Sequence, residues 1–195
     1  SAIPIEIIGN LLGIPHSERA PLRDWSLAIL GALEPVTSDS AADWGNQSVQ
    51  SFLAYLAELT ERRRSQPGDP EHDVLTRLIQ GEADGVKLSE KELLHNCIFL
   101  LNAGHETTTN LIGSALVTLH DNPAQRQRLI EQPGLIKTAV EEVLRMESPN
   151  QLGNRMATES VQIGGCSIPA RSNIHLCIGA ANRDPSTFME PQHFD

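Results

Sequence analysis

Ala103-Gly104-His105-Glu106-Thr107-Thr108 sets a histidine, a carboxylate and adjacent hydroxyls inside a run that is otherwise apolar. Leu93, Leu94, Cys97, Ile98, Phe99, Leu100 and Leu101 precede it, and Leu111, Ile112, Ala115, Leu116, Val117 and Leu119 follow it. Apolar side chains spread round so much of a helix predict burial between other layers. An ionisable group buried there is costly unless something specific satisfies it. The stretch therefore marks a candidate site in the middle of a central helix.

The ends of that helix are legible. Ser89-Glu90-Lys91-Glu92 matches a capping box, with Ser89 as N-cap and Glu92 reaching back. Asp121-Asn122-Pro123 closes it. A helix over about 89–121 is about 45 Å long at ~1.5 Å per residue and must cross a whole domain. Upstream, the pattern predicts helices over Ile3–Leu12 (ended by Gly13 and Pro15), Ser17–Leu33, Ser38–Arg64 and Val74–Ile79, with a polar loop at Gly81–Gly85. Downstream, Pro123 opens a helix to Ile130 and Leu135–Met146 forms another. After Pro149 the texture becomes strand-like: Arg155-Met156-Ala157, Val161-Gln162-Ile163, a Gly164-Gly165 turn, and Asn173–Ile178. The expected fold is mainly α with a small β region, a helical body over 1–150 and short strands over 151–195.

Net charge is −10, with 15 basic against 25 acidic residues, which argues against a nucleic-acid groove. The one compact basic cluster, Arg62-Arg63-Arg64, reads as the solvated C-terminal end of a helix. Cys97, Cys166 and Cys177 show no paired spacing, which suggests a reducing compartment. The apolar run Cys97–Leu101 is too short to span a bilayer and Ser1 opens no leader, so the default is a cytoplasmic protein without membrane contact.

Thr107, Thr108 and Thr109 are β-branched hydroxyl residues in mid-helix, where they do not favour helix formation. Thr107 can bond back to the Ala103 carbonyl. Gly104 would leave one flank bare for a flat ligand, and Glu106 with Thr107 could relay protons beside it. Equally, the patch could only cross-link helices. Glu142 and Arg145 are three apart and can pair, Arg155 alone reads as a surface residue, and His105 as a core or pocket-lining histidine.

Their order changes that reading. Ala103-Gly104-His105-Glu106-Thr107-Thr108, then Glu142-Val143-Leu144-Arg145, then Asn182-Arg183-Asp184-Pro185 with Phe188, Pro191 and Phe194-Asp195, resembles the cytochrome P450 family of haem-thiolate monooxygenases, soluble bacterial type. Leu11-Leu12-Gly13-Ile14-Pro15 resembles a further stretch of that type. The resemblance implies the cytochrome P450 fold and one incomplete domain over 1–195. It assigns Glu106 and Thr107 to proton delivery, and Ala103 and Gly104 to the distal haem face. Arg155 would meet a haem propionate, while His105, Gln151, Leu152 and Gly153 would line the substrate pocket. Glu142 and Arg145 would be a structural ion pair whose third partner, usually an arginine, is here His193. The implied cofactor is haem b, with a small hydrophobic substrate and electrons from NAD(P)H through a ferredoxin- or flavodoxin-type donor.

None of Cys97, Cys166 or Cys177 has the surroundings of the family's metal ligand, which is expected beyond Asp195. The chain is therefore expected to be an internal piece, catalytically incomplete and without stable haem binding. The rival is a non-redox, all-helical ligand-binding or regulatory module. It does not account for the offsets of the second and third motifs.

Overall fold

A computed structural model describes residues 2–34, 37–81 and 86–195. The chain divides into two compact units, Ser1–Thr109 and Asn110–Asp195. The predicted loop at Gly81–Gly85 falls outside the described residues except for Gly81.

In the first unit, α1 (Ala2–Leu11) stops where Gly13 takes a positive φ of 62°. The Ile14 amide then reaches back to the Gly9 carbonyl at 2.8 Å, as a left-handed glycine cap allows. The expected helix over Ser17–Leu33 is shorter. A 3-10 turn, His16–Glu18, precedes Pro21, and α2 runs only over Leu22–Gly31, since proline favours the start of a helix and not its interior. Ser38 caps α3 (Asp39–Ser65) by accepting from the Ala41 amide. Asp73 caps α4 (Val74–Gln80) in the same way through the Thr76 amide.

The basic end of α3 is not free solvated charge. Arg62 grips Glu18, Arg63 pairs with Asp73, and Arg64 pairs with Glu61 and Glu90. The core of this unit takes Ile5 and Ile8 from α1, Leu12 from the turn after it, Leu22 and Ile29 from α2, and Phe52, Leu56 and Leu59 from α3. Leu75 of α4 and Leu93, Cys97, Ile98 and Leu101 of the next helix complete it. Trp25 stacks on Phe52 with ring centres 5.1 Å apart.

That next helix, α5 (Glu90–Asp121), has 32 residues, close to the predicted span. Its capping box is formed: the Ser89 amide donates to Glu92 Oε2 at 2.8 Å, and the Glu92 amide to Ser89 Oγ at 3.3 Å. Burial all round is not found. Within the first unit the helices cover one face of α5, and Phe99 and Leu100 on another stay exposed.

The second unit adds α6 (Pro123–Glu131), which starts on its proline, a 3-10 turn at Pro133–Leu135, and the amphipathic α7 (Ile136–Met146). Four short strands follow: β1 (Gly153–Met156), β2 (Val161–Ile163), β3 (Cys166–Ile168) and β4 (Asn173–Leu176). β2 and β3 form a hairpin whose two turn residues, Gly164 and Gly165, both have positive φ, the geometry that matches strand twist. β1 pairs antiparallel with β4, Gly153 opposite Leu176 and Met156 opposite Asn173. β4 ends before Ile178, which instead opens a short helix, α8 (Ile178–Ala181).

Candidate functional site

Two clusters carry the predicted residues, one in each unit. In the first, α5 places Ala103, Glu106 and Thr107 on its outward side: Ala103 and Glu106 are exposed and Thr107 is partly so. Their enclosure, expected from the apolar surroundings, is absent, because the first unit's helices pack on the opposite side. Thr107 Oγ1 donates to the Ala103 carbonyl at 2.6 Å, and Thr109 Oγ1 to the His105 carbonyl at 2.8 Å. The Thr107 proton is thus spent on its own helix. Its oxygen lone pairs remain available to accept from a group on the outer face.

Gly104 does not offer a bare flank. A Cβ built there would stand 2.9 Å from Ile8 Cδ1, so the missing side chain makes room for α1 rather than for a flat ligand. The neighbours suited to an apolar plate are Phe99, 66% exposed, Leu100 and the small Ala103.

His105 takes the core position that its residue type allowed, not the pocket-lining one the resemblance implies. It is 2% exposed, and its Nδ1 lies 3.0 Å from Oγ of Ser26, a fully buried residue of α2. Burial holds its pKa below the ordinary imidazole value, with nearby positive charge, Arg23 included, adding to the effect. A pocket-lining role for His105 has no support in these contacts. Beside it, Asn102 Oδ1 is buried without a hydrogen-bond partner among the described residues. Sequence reading missed Ser26. The signal was present: Leu22, Ser26 and Ile29 follow helical spacing and share the buried face of α2.

The second cluster centres on Arg145. Its Nε and Nη2 meet the two Glu142 oxygens at 2.7 and 2.6 Å, a two-pronged charge-assisted pair. Nη1 donates to the carbonyls of Asn182 and Pro191 at 3.0 and 2.9 Å, and Nη2 to that of His193 at 2.9 Å. The guanidinium also lies 5.3 Å from the centre of the Phe188 ring. Both side chains are largely covered, Arg145 12% and Glu142 18% exposed, and Glu142 chiefly holds the Arg145 pKa up. One cation therefore gathers the irregular segment after α8 onto α7.

His193 supplies only its carbonyl to this hub. Its imidazole turns to Glu190, with Nδ1 3.2 Å from Glu190 Oε2, so it is not the third side-chain partner expected. Two residues of the third motif, given no separate role from sequence, support the hub: Asn182 Nδ2 donates to Ser148 Oγ, and Arg183 Nη2 to the Met146 carbonyl at the end of α7.

Of the remaining candidates, Gln151 is turned back, its Nε2 donating to the Ser148 carbonyl at 2.7 Å. Leu152 is exposed, Gly153 begins β1, and Arg155 is exposed with Nη1 on the Asn154 carbonyl. The other donors of Arg155 have no partner among the described residues. Among the described residues no group of three or more His, Cys, Asp or Glu could hold a metal ion. Cys97 is buried in the core, and burial pushes its thiol up to about 12, which disfavours the thiolate a metal needs.

Comparison with known proteins matches the chain to one family. A family model described as Cytochrome P450 matches residues 36–132 and 132–195. The biotin biosynthesis cytochrome P450 of Bacillus subtilis (strain 168) is 39% identical over 189 residues, covering 97% of this chain and 47% of the relative. The vitamin D(3) 25-hydroxylase of Pseudonocardia autotrophica is 40% identical over 195 residues, covering 99% and 46%. Among solved structures, P450BioI in complex with hexadec-9Z-enoic acid ligated acyl carrier protein superposes with a TM-score of 0.90 at 38% identity, covering 99% of this chain and 49% of that one. The chain spans about half the length of the relatives it matches.

Proposed function

We propose, because this chain belongs to the cytochrome P450 family, that the whole protein is a haem-thiolate monooxygenase inserting one oxygen atom of O2 into a small hydrophobic substrate. When bound, haem b supplies the oxygen activation, driven by a cysteine thiolate from beyond Asp195, while the protein binds, orients and tunes it. The observation that carries this reading is the outer line of α5. Phe99, Leu100 and Ala103 offer an apolar, partly small surface, and Glu106 and Thr107 stand directly beside it. That combination fits a flat apolar group with proton-handling side chains at its edge. Gly104 contributes only indirectly, by letting α1 approach.

Thr107 would act first as an acceptor, holding a protonated group at the outer face while its own proton stays on the Ala103 carbonyl. Turning that hydroxyl outward would hand its proton to that group while the Thr107 oxygen takes one from Glu106, itself protonated from solvent. Arg155, with spare donors, suits a haem propionate. Glu142 and Arg145 keep the segment before the ligand loop in place. Gln151, Leu152 and Gly153 belong to the stretch that would border the substrate. The 195 residues form part of a single domain, and the remaining half of the protein would cover the outer face of α5.

Electrons would come from NAD(P)H through a separate ferredoxin- or flavodoxin-type protein. A cytoplasmic location follows from the likeness to bacterial members of the family; no helix among the described residues is long and apolar enough to cross a membrane. The full-length protein, reduced and exposed to carbon monoxide, should show a thiolate-type Soret band. A protein without haem would instead be a non-redox helical binding module. In the haem-loaded protein Thr107→Ala should keep haem and substrate binding yet lower product per NAD(P)H roughly tenfold or more, the balance appearing as peroxide. Unchanged coupling would remove Thr107 from proton delivery.

A further inference from the structure

Within the first unit, the buried side of α5 is a line of Leu93, Cys97, Leu101 and His105, each four residues after the last. The first three meet their surroundings through apolar contact, which has no direction and tolerates small rotations of the helix. His105 does not, because Nδ1 must stay within hydrogen-bond reach of Ser26 Oγ, 3.0 Å away on α2. Neither side chain has another hydrogen-bond partner among the described residues. Separation would leave two buried polar atoms unsatisfied, which costs more than the bond itself is worth. Ala103 and Thr107 each lie two residues from His105, about 160° round the axis at ~100° per residue. Among the described residues this is the directional side-chain contact from the buried face of α5 to another helix, roughly opposite Ala103 and Thr107 and about 100° round from Glu106.

We propose that Ser26 is a positioning residue that, through His105, fixes the rotation of the Ala103–Thr109 turn and so the direction in which Glu106 and Thr107 face. What the turn does rests on the monooxygenase reading; the pin itself does not. A hydroxyl is the right size for the task. It accepts from or donates to Nδ1 without adding a charge to the core, and it stays neutral at any pH the fold survives.

Residue-resolved amide exchange on the full-length protein tests the pin. Ser26→Ala should speed exchange at Thr107, Thr108 and Thr109 by roughly five- to tenfold while leaving Cys97 to Leu101 unchanged, and Ser26→Thr should restore it. With NAD(P)H and a redox donor present, Ser26→Ala should also shift electrons towards peroxide. Exchange that rises evenly along α5, or not at all, overturns the pin, whereas an unchanged partition of electrons in the haem-loaded protein overturns its part in directing Glu106 and Thr107. Should Ser26→Ala fail to fold, nitrogen resonances of the wild-type imidazole decide: a bonded Nδ1 supports the pin and a free one overturns it. The carbon-monoxide spectrum is a separate readout. Its failure removes the monooxygenase reading, whereas the exchange pattern alone decides whether Ser26 holds the turn.

Discussion

Arg145 and His193 show how far a residue's type can mislead about its part in a cluster. The guanidinium meets both oxygens of Glu142 and three main-chain carbonyls, which its planar fork of donors permits and an ammonium would not. Arg145→Lys should therefore cost about 2–4 kcal/mol, since it leaves carbonyls and part of a largely covered carboxylate unpaired. Denaturant unfolding would measure the loss, and limited proteolysis should cut first between Arg183 and His193. His193→Ala should change stability by less than about 0.5 kcal/mol, because the hub uses only a carbonyl that alanine keeps. A large effect at His193 would mean that its ring joins Glu142 after all. The pairing of Glu142 with Arg145 was legible from their spacing. The direction of the imidazole was not, because it depends on the backbone around Glu190, where φ is +50°.

Helix limits were readable at most caps and prolines, Pro21 before α2 being the exception. Ser38, Asp73, Ser89 and Pro123 each stand at the start of a helix that the apolar pattern also predicts. Reading failed where packing decides. Nothing local says that α5 is covered on one face only, that β1 pairs with β4 across the intervening hairpin, or that Gly104 serves α1. Two helical glycines turn this into a measurement. At Gly45 of α3 an added Cβ would press on the Ala32 Cβ and stand 3.0 Å from the Ala28 carbonyl oxygen, part of the main chain of α2. Backbone cannot move aside. Gly45→Ala should destabilise by about 1–2 kcal/mol, the overpacking penalty exceeding the ~1 kcal/mol gained in helix propensity. At Gly104 the obstacle is Ile8 Cδ1, the end of a side chain that can turn. Gly104→Ala should stay within about 0.5 kcal/mol of wild type by denaturant midpoint. If both cost the same, close approach of α3 to α2 is not what Gly45 provides.

For the molecule as a whole, acid should act through two groups in separate windows. His105 is buried neutral, with its pKa below the ordinary 6.5, so the unfolded chain takes up that proton first. Its contribution is complete above about pH 6.5 and is lost as pH falls towards the folded value. Glu18 behaves as a depressed carboxylate: hydrogen bonds from Arg62, then Tyr55, bring its pKa from 4.5 to about 2. Its contribution is present above pH 4.5 and disappears as pH falls to about 2. An overall charge of −10 works the other way, since protonating exposed carboxylates relieves repulsion in the folded state. Variants separate these effects where the wild-type curve alone would not. His105→Phe should flatten the loss of denaturant midpoint that sets in below about pH 6.5 and leave the lower window as it was. Glu18→Gln should lower stability at neutral pH and flatten the fall below pH 4.5. A His105→Phe curve parallel to wild type through the upper window would show that the imidazole takes up its proton as easily when folded as when unfolded, and so is not held neutral against Ser26.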